Sequence, residues 1–407
     1  MAALVSLPPV KVVTEFIPMN GGLDLVTPPL QKKPGTCLLA QNFEQAINGG
    51  YRRVAGYERY SGKAKPADAT YTILAATITG AVALGDTITG VTSAATATVI
   101  ALPGGSLVLT KVVGTFVSAE ALQVSAVTIA TSTAAPVIGG AGTALLDATY
   151  LNLAADVYRA LIAAIPGSGR VLGVIQFNDV VYGWRNNAGA TAAAIYKSSS
   201  SGWTAVTLYN EVAFTLGGAV IPAEGTTLTQ GGVTATVKRV VTTTALSTWG
   251  TNTAAGRLIV TNPAGGNFAA GAATIGAINV TLTAIQTAIT LLPSGRYEFD
   301  VANMGGTANT NRMYGADGVN RGFEFDGDVF VPITTGMTTD TPKHVHVHLS
   351  QLFFSFAGSA QHSGPGTPYV WTVVLGAGEI AMGDTITGFA PQPGSQTSAT
   401  LAILTRN

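Results

Sequence analysis

Charge is what this chain has least of. Only 10% of its residues are Asp, Glu, Lys or Arg, where a soluble domain usually carries about 25%. Lys+Arg and Asp+Glu number 21 each, which argues against a protein whose main task is gripping nucleic acid, because that needs a basic surface. The basic pairs Lys32-Lys33 and Arg52-Arg53 read as solvated pairs beside turns. A single cysteine, Cys37, excludes an intrachain disulfide framework and any all-cysteine metal site, and fits a reducing cytoplasm. Apolar stretches are broken by Thr, Gly or Asp before about 18 residues, so no membrane span is expected. The start, MAALVSLPPVKVV, has no basic leader and is interrupted by Pro8-Pro9, so it does not read as a signal peptide.

Catalytic patterns are equally scarce. No Gly-x-x-x-x-Gly-Lys phosphate loop occurs. Ser168 in PGSGRV lacks the Gly-x-Ser-x-Gly frame and reads as a residue of a helix-stopping turn. DGVNRGFEFDGD fails calcium-loop spacing, since Val319 and Arg321 follow Asp317 where oxygen ligands are needed. Glu324 and Asp326 share a strand face but read as solvated carboxylates rather than an acid/base pair. Trp184, Trp203, Trp249 and Trp371 are dispersed, with no aromatic platform of the sort a sugar-binding face would use.

The chain is 47% hydrophobic and holds 49 glycines. Short runs of Val, Ile, Thr, Tyr and Phe alternate with Gly, Asn, Asp and Pro. The spacing predicts three strands over 312–333, with turns at Asp317-Gly318 and Asp326-Gly327, and a similar meander over 171–206. One amphipathic helix is expected over about 147–165, with Leu151, Leu153, Ala154, Val157, Leu161 and Ile162 near one face and Pro166-Gly167 as its stop. The fold class is therefore all-β: a propeller-like antiparallel meander core, small Thr/Gly-rich β-modules inserted in it, and one helix.

The modules are visible as repeats. Gly-Asp-Thr-Ile-Thr-Gly occurs at 85–90 and again at 383–388, and a looser copy spans 223–241. Second halves follow at 106–124 and 257–275. The predicted organisation is an N-terminal arm and first core strands (1–71), module one (72–135), helix and meander (136–210), module two (211–288), meander (289–371) and a partial module three (372–407). An unfinished module leaves a strand edge open to another chain.

Residues 343–356, KHVHVHLSQLFFSF, hold three of the four histidines. His344, His346 and His348 alternate, so a strand would place them on one face. They are the metal candidates of this sequence, since imidazole suits Zn or Fe. Alternate strand residues stand about 6.6–7 Å apart, so the outer pair could not share an ion, and His362 is the only other histidine. The strand is better read as a blade strand whose polar face meets a channel, water or a subunit. No cofactor and no enzymatic activity are expected.

The meander segments resemble tailed-bacteriophage virion proteins, of the propeller-like nozzle or tail-tubular type. The resemblance is carried by residues 19–62 (MNGGLDLVTPPLQKKPG…GYERYSG), 158–187 (YRALIAAIPGSGRVLGVIQFNDVVYGWRNN), 194–206, 311–348 and 352–371. It implies a homo-oligomeric ring, with six-fold symmetry one order it admits, joined to neighbouring tail or head-to-tail proteins around a DNA exit channel, in a virion assembled in the host cytoplasm. Low-charge surfaces fit this, since free solubility normally depends on charge. About 220 meander residues fall short of six or seven blades at roughly 40–45 residues each. The rival readings are a host-surface or glycan-binding phage protein and a metal-dependent enzyme built on the histidine strand.

Overall fold

A computed structural model of the chain describes residues 21–39, 41–46, 50–54, 57–306, 310–392 and 400–406. The expected signal-free start and its Pro8-Pro9 break lie outside them. The chain divides into two compact units between Arg59 and Tyr60. The first is an arm and a hairpin, Phe43–Gln45 with Tyr51–Arg53. In it Lys32 is not solvated: its side chain is 7% exposed and its Nζ lies 3.3 Å from Asp24 Oδ1. Arg52 pairs with Glu44 at 2.6 Å.

The second unit is all-β with one helix. It contains three four-stranded antiparallel meanders: Ser168–Phe177, Val180–Asn186, Ala193–Ser199 and Gly202–Ala205; Glu298–Ala302, Arg312–Ala316, Phe323–Phe325 and Phe330–Pro332; Val345–His348, Gln351–Phe356, Ser359–His362 and Gly378–Ala381. The first strand of each meander lies against the first strand of the next. Gly173 makes the first of these approaches possible, since a Cβ there would sit 2.6 Å from Tyr297 Cβ. The seam between the first two meanders is filled by aromatics. Trp184 is fully buried, its ring centroid 4.6 Å from Phe299 and 6.1 Å from Phe323. Between the second and third, Tyr314 and Ile333 share a core with Leu352 and Phe354, on which Trp371 of the third meander stacks at 5.5 Å.

The tight turns are not all where Asp-Gly marks them. Asn178-Asp179 and Leu349-Ser350 both take positive φ (48° and 61°; 47° and 60°), as a two-residue hairpin loop of type I′ requires. At Asp317-Gly318 and Asp326-Gly327 only the glycine has positive φ. There the aspartates cap wider loops: Asp317 Oδ1 accepts from Val319 N and Asn320 N, and Asp326 Oδ1 from Asp328 N and Val329 N.

Two modules close into six-stranded barrels. In the first, Thr72–Ile78 pairs with Ser106–Val113 on one side and Val127–Ser132 on the other, with Thr87–Gly90, Thr96–Ala101 and Ala121–Val124 completing the ring. In the second, Asn210–Gly217 pairs with Ala254–Val260 and Ile278–Leu282, around Thr227–Gln230, Val233–Thr242 and Gly271–Ile275. Alternate Thr and Val or Ile positions fill each interior, where Leu74, Ile88 and Leu109 or Val212, Leu228 and Leu258 are fully buried. In each barrel the outgoing chain pairs with the incoming strand, Thr72 with Ile138 and Asn210 with Ala288. Gly85 and Gly225 occupy the same turn at φ 89° and 88°, the third position of a type II turn. Of the third copy, the described residues show one hairpin, Ile386–Pro391 with Leu401–Thr405.

The helix runs Ala144–Leu161, a few residues earlier than its sequence pattern suggested, capped by Thr143 Oγ1 accepting from Leu146 N at 3.3 Å. Its buried face overlaps the expected one only in part. Ala154 and the half-buried Val157 pack, with Tyr150, against Tyr71, Ile100 and Val108 at the first barrel, while Leu151 and Leu153 are exposed. Tyr150 turns the buried stripe away from those two leucines. No helix among the described residues is long and apolar enough to cross a membrane.

The two barrels solve one loop problem differently. In the first, buried Glu120 accepts from Thr92 N, Ser93 N and Val117 N at 3.2, 3.0 and 2.7 Å. Gly90 leaves room for it, since a Cβ there would lie 2.5 Å from Glu120 Oε2. In the second barrel Gln230 stands at that position and its own Oε1 accepts from Ala269 N at 2.8 Å. Burial raises the Glu120 pKa, but the N–H donors outweigh it and hold the carboxyl below its ordinary value. Its stabilising contribution is complete above the ordinary carboxylate range and is lost as pH falls through the lowered value. Glu120→Ala leaves three donors without their acceptor and is expected to cost about 1–3 kcal/mol in urea unfolding at neutral pH, with the cost shrinking in acid.

Candidate functional site: an ionic seam beside the histidine strand

Ten charged side chains pair up where the second barrel meets the second meander. The strand Val233–Thr242 sends Ala235 and Val237 into the barrel. A register shift between Val237 and Arg239 then breaks the alternation, so Val240 faces the barrel interior while Val241 joins the meander core. Bulges re-aim side chains in this way. Here the bulge turns Arg239 out of the barrel and into the meander.

Arg239 is 6% exposed. Its guanidinium bonds Glu324, reaches Asp326 Oδ2 at 2.5 Å and lies with Nε 2.6 Å from Glu224 Oε1. Tyr369 Oη accepts from it at 3.4 Å. Burial works against the charge, but the three carboxylates hold the guanidinium above its ordinary range. Arg312 Nε adds a second cation 3.4 Å from Glu324. Burial and the Glu324 charge push the Tyr369 and Tyr314 hydroxyls upward, so both stay neutral.

A second knot lies along the same seam. Glu211, on the first barrel strand, takes Arg257 at 2.5 Å and Arg321 of the meander at 2.6 Å. Arg257 also donates to Pro332 O at 2.8 Å. Burial raises the Glu211 pKa, and the two arginines overcome it, holding the carboxyl below its ordinary value. Lys238 reaches Asp328 at 2.9 Å and sits 5.0 Å from the centre of the Tyr209 ring. Glu324 and Asp326 are therefore not the solvated carboxylates their sequence suggested: both are spent on one arginine 85 and 87 residues away.

The histidines form a separate ladder one seam further on. His344, 5% exposed, has Nδ1 2.8 Å from Glu298 Oε2, and His346 has Nδ1 2.7 Å from Asp300 Oδ2. Asp300 Oδ2 also accepts from Val347 N at 2.8 Å. The polar face of the strand thus meets the first strand of the preceding meander. His348 stands edge-on to Phe353 at 6.3 Å, and His362 lies 2.9 Å from Gln351 Nε2. Among the described residues no three His, Cys, Asp or Glu side chains are clustered as a metal would need. Ser168 is not in a helix-stopping turn: it opens the strand Ser168–Phe177, opposite Asn186, and its Oγ donates to Asn187 O at 2.7 Å. Trp203 Nε1 donates to Ala163 O at 3.1 Å.

No family model, curated protein or solved structure matches this chain. Its chemistry must be read from its own geometry. The seams hold paired charges, buried tyrosines and stacked aromatics, an arrangement suited to fixing one β-body against another.

The site that sequence reasoning missed is Arg239. A signal was present. Thr-Ala-Thr-Val occurs at 96–99 and at 234–237, followed by Ile100-Ala101 in one copy and Lys238-Arg239 in the other. Paired basic residues where the sister copy is apolar mark the position that faces outward into another body.

Arg239→Met is expected to cost about 3–5 kcal/mol, because it leaves the buried Glu324 with Arg312, 3.4 Å away, as its one remaining cation. Arg239→Met combined with Glu324→Leu should recover most of that loss in chemical unfolding. Glu211 supplies a pH signature. Its contribution is complete above the ordinary carboxylate value and fades as pH falls through the lowered one. Acid unfolding of Glu211→Gln should therefore be shallower than that of the unaltered chain when stability is measured from pH 6 down to about pH 3.

Proposed function

We propose that this chain is a non-enzymatic structural protein of a tailed-phage virion, a nozzle, tail-tubular or head-to-tail component that assembles in copies around the DNA exit channel. The observation that carries the reading is the succession of three four-stranded meanders, each first strand against the next. That is how consecutive propeller blades are laid out. Three blades with two inserted barrels are a segment of a propeller, and repetition of that segment between copies would extend it into a ring.

Two further features support a role in holding parts together. Buried charge is spent on locking one β-body to another, at Arg239 and at Glu211. Apolar side chains are left outward: Ile138 is 80% exposed, Val373 77% and Val374 90%, which suits surfaces covered by neighbours. In this reading the barrels stand as accessory bodies between blades, and DNA passes without being gripped, in keeping with equal numbers of acidic and basic residues.

Mass photometry of the purified chain should give a closed multimer with a defined copy number, and particle maps from cryo-electron microscopy should trace the chain in the tail. A monomer persisting at high concentration, together with no density for the chain in particles, would overturn the proposal.

A further inference from the structure

A cleft of about 380 Å³ opens between the first strand of the first meander and the segment entering the second. Its walls include Arg170, Leu172 and Gly173 on one side and Gly295, Arg296 and Tyr297 on the other. In the ionic seam every arginine meets a carboxylate. Among the described residues Arg170 and Arg296 have no carboxylate partner; Arg170 makes only a long contact, 3.5 Å, to Gly295 O across the cleft.

Both arginines are presented by irregular backbone. The strand bearing Arg170 shifts register twice, between Ser168 and Val171 and between Val171 and Gly173. Bulges of this sort aim side chains away from the ladder. Arg185 fixes the first one, its fork donating to Ile165 O at 2.5 Å and to Gly169 O at 2.9 and 2.7 Å. Arg296 follows Ser294 and Gly295, at φ 78° and 86°. A non-glycine residue in that region is uncommon and is held here by Ser294 N donating to Asn186 Oδ1 at 2.9 Å. The acid beside Gly295 is Asp317, and it is already engaged: Val319 N, Asn320 N and Asn320 Nδ2 donate to it at 2.9, 2.7 and 2.7 Å.

We infer that this cleft is a binding site for a phosphate-class anion, held by the two arginines that line it, Arg170 and Arg296. Planar guanidinium forks donate two parallel bonds to a phosphate oxygen pair, and each fork adds a strong charge-assisted contact. The inference stands on this cleft alone and does not depend on a virion role.

The test is calorimetric titration of the full chain with pyrophosphate at low salt. Saturable one-to-one binding is expected, weakened about tenfold or more by Arg170→Gln and by Arg296→Gln. Arg296→Lys should weaken it too, because a lysine keeps the charge and loses the fork. Lys111→Gln, on the first barrel, should leave it unchanged. Both arginines are exposed, so unchanged thermal midpoints are expected to show that the variants fold. Competition by a single-stranded oligothymidylate would assign the site to a phosphodiester chain, and lack of competition to a free phosphate; both uphold the inference. No saturable binding, full binding by Arg296→Lys, or tighter binding of a hexaglutamate peptide than of pyrophosphate would each overturn it.

Discussion

A guanidinium taken out of water must find its counter-charges before the chain closes over it. Arg239 is 6% exposed and meets Glu224, Glu324 and Asp326. Desolvation of such a cluster offsets much of its Coulomb attraction, so it adds little net stability over a well-packed apolar core. What it adds is selectivity of placement. Apolar contacts between Val241 or Ile259 and the Phe323–Phe330 region would tolerate sliding; a buried arginine with a fixed set of carboxylates does not. The barrel is held in one orientation because any other would leave charges unpaired in a low-dielectric seam.

The two closed barrels show how one module serves two attachments. Each has a bulged strand after Thr-Ala-Thr-Val, and the residues just beyond face outward. In the first barrel Ile100 and Ala101 stand there and pack with Tyr150 and Ala154 of the helix. In the second, Lys238 and Arg239 stand there and receive acidic residues of a meander. Interior chemistry is shared, with Phe116 and Phe268 buried at matching places, while the outward pair sets what the module binds. The loop near Gly90 and Gln230 differs in the same spirit, with a glutamate from afar replaced by a local glutamine.

Much of this was legible in the residues. Period-two alternation and turn residues located the meanders, and repeated hexamers located the modules, because both depend on local spacing. Asn178-Asp179 was readable as a turn; Leu349-Ser350 carries no turn chemistry and is bent by the strands on either side. The helix existed where expected, but its buried face is set by Tyr71 and Ile100, which no helical pattern reveals. The partners of Glu324 and Asp326 lie more than 80 residues away, so single-strand periodicity could not tell a solvated carboxylate from a buried one. The histidines were placed correctly on one strand face, while their partners Glu298 and Asp300 came from tertiary packing.

Each closed barrel leaves the chain beside the point where it entered, since Thr72 pairs with Ile138 and Asn210 with Ala288. Cutting at those paired residues would remove a whole barrel and leave two ends side by side, about 4.5–5.5 Å apart as antiparallel partners are. Genes that recombine at such places can gain, lose or trade an intact barrel without disturbing the frame that holds it.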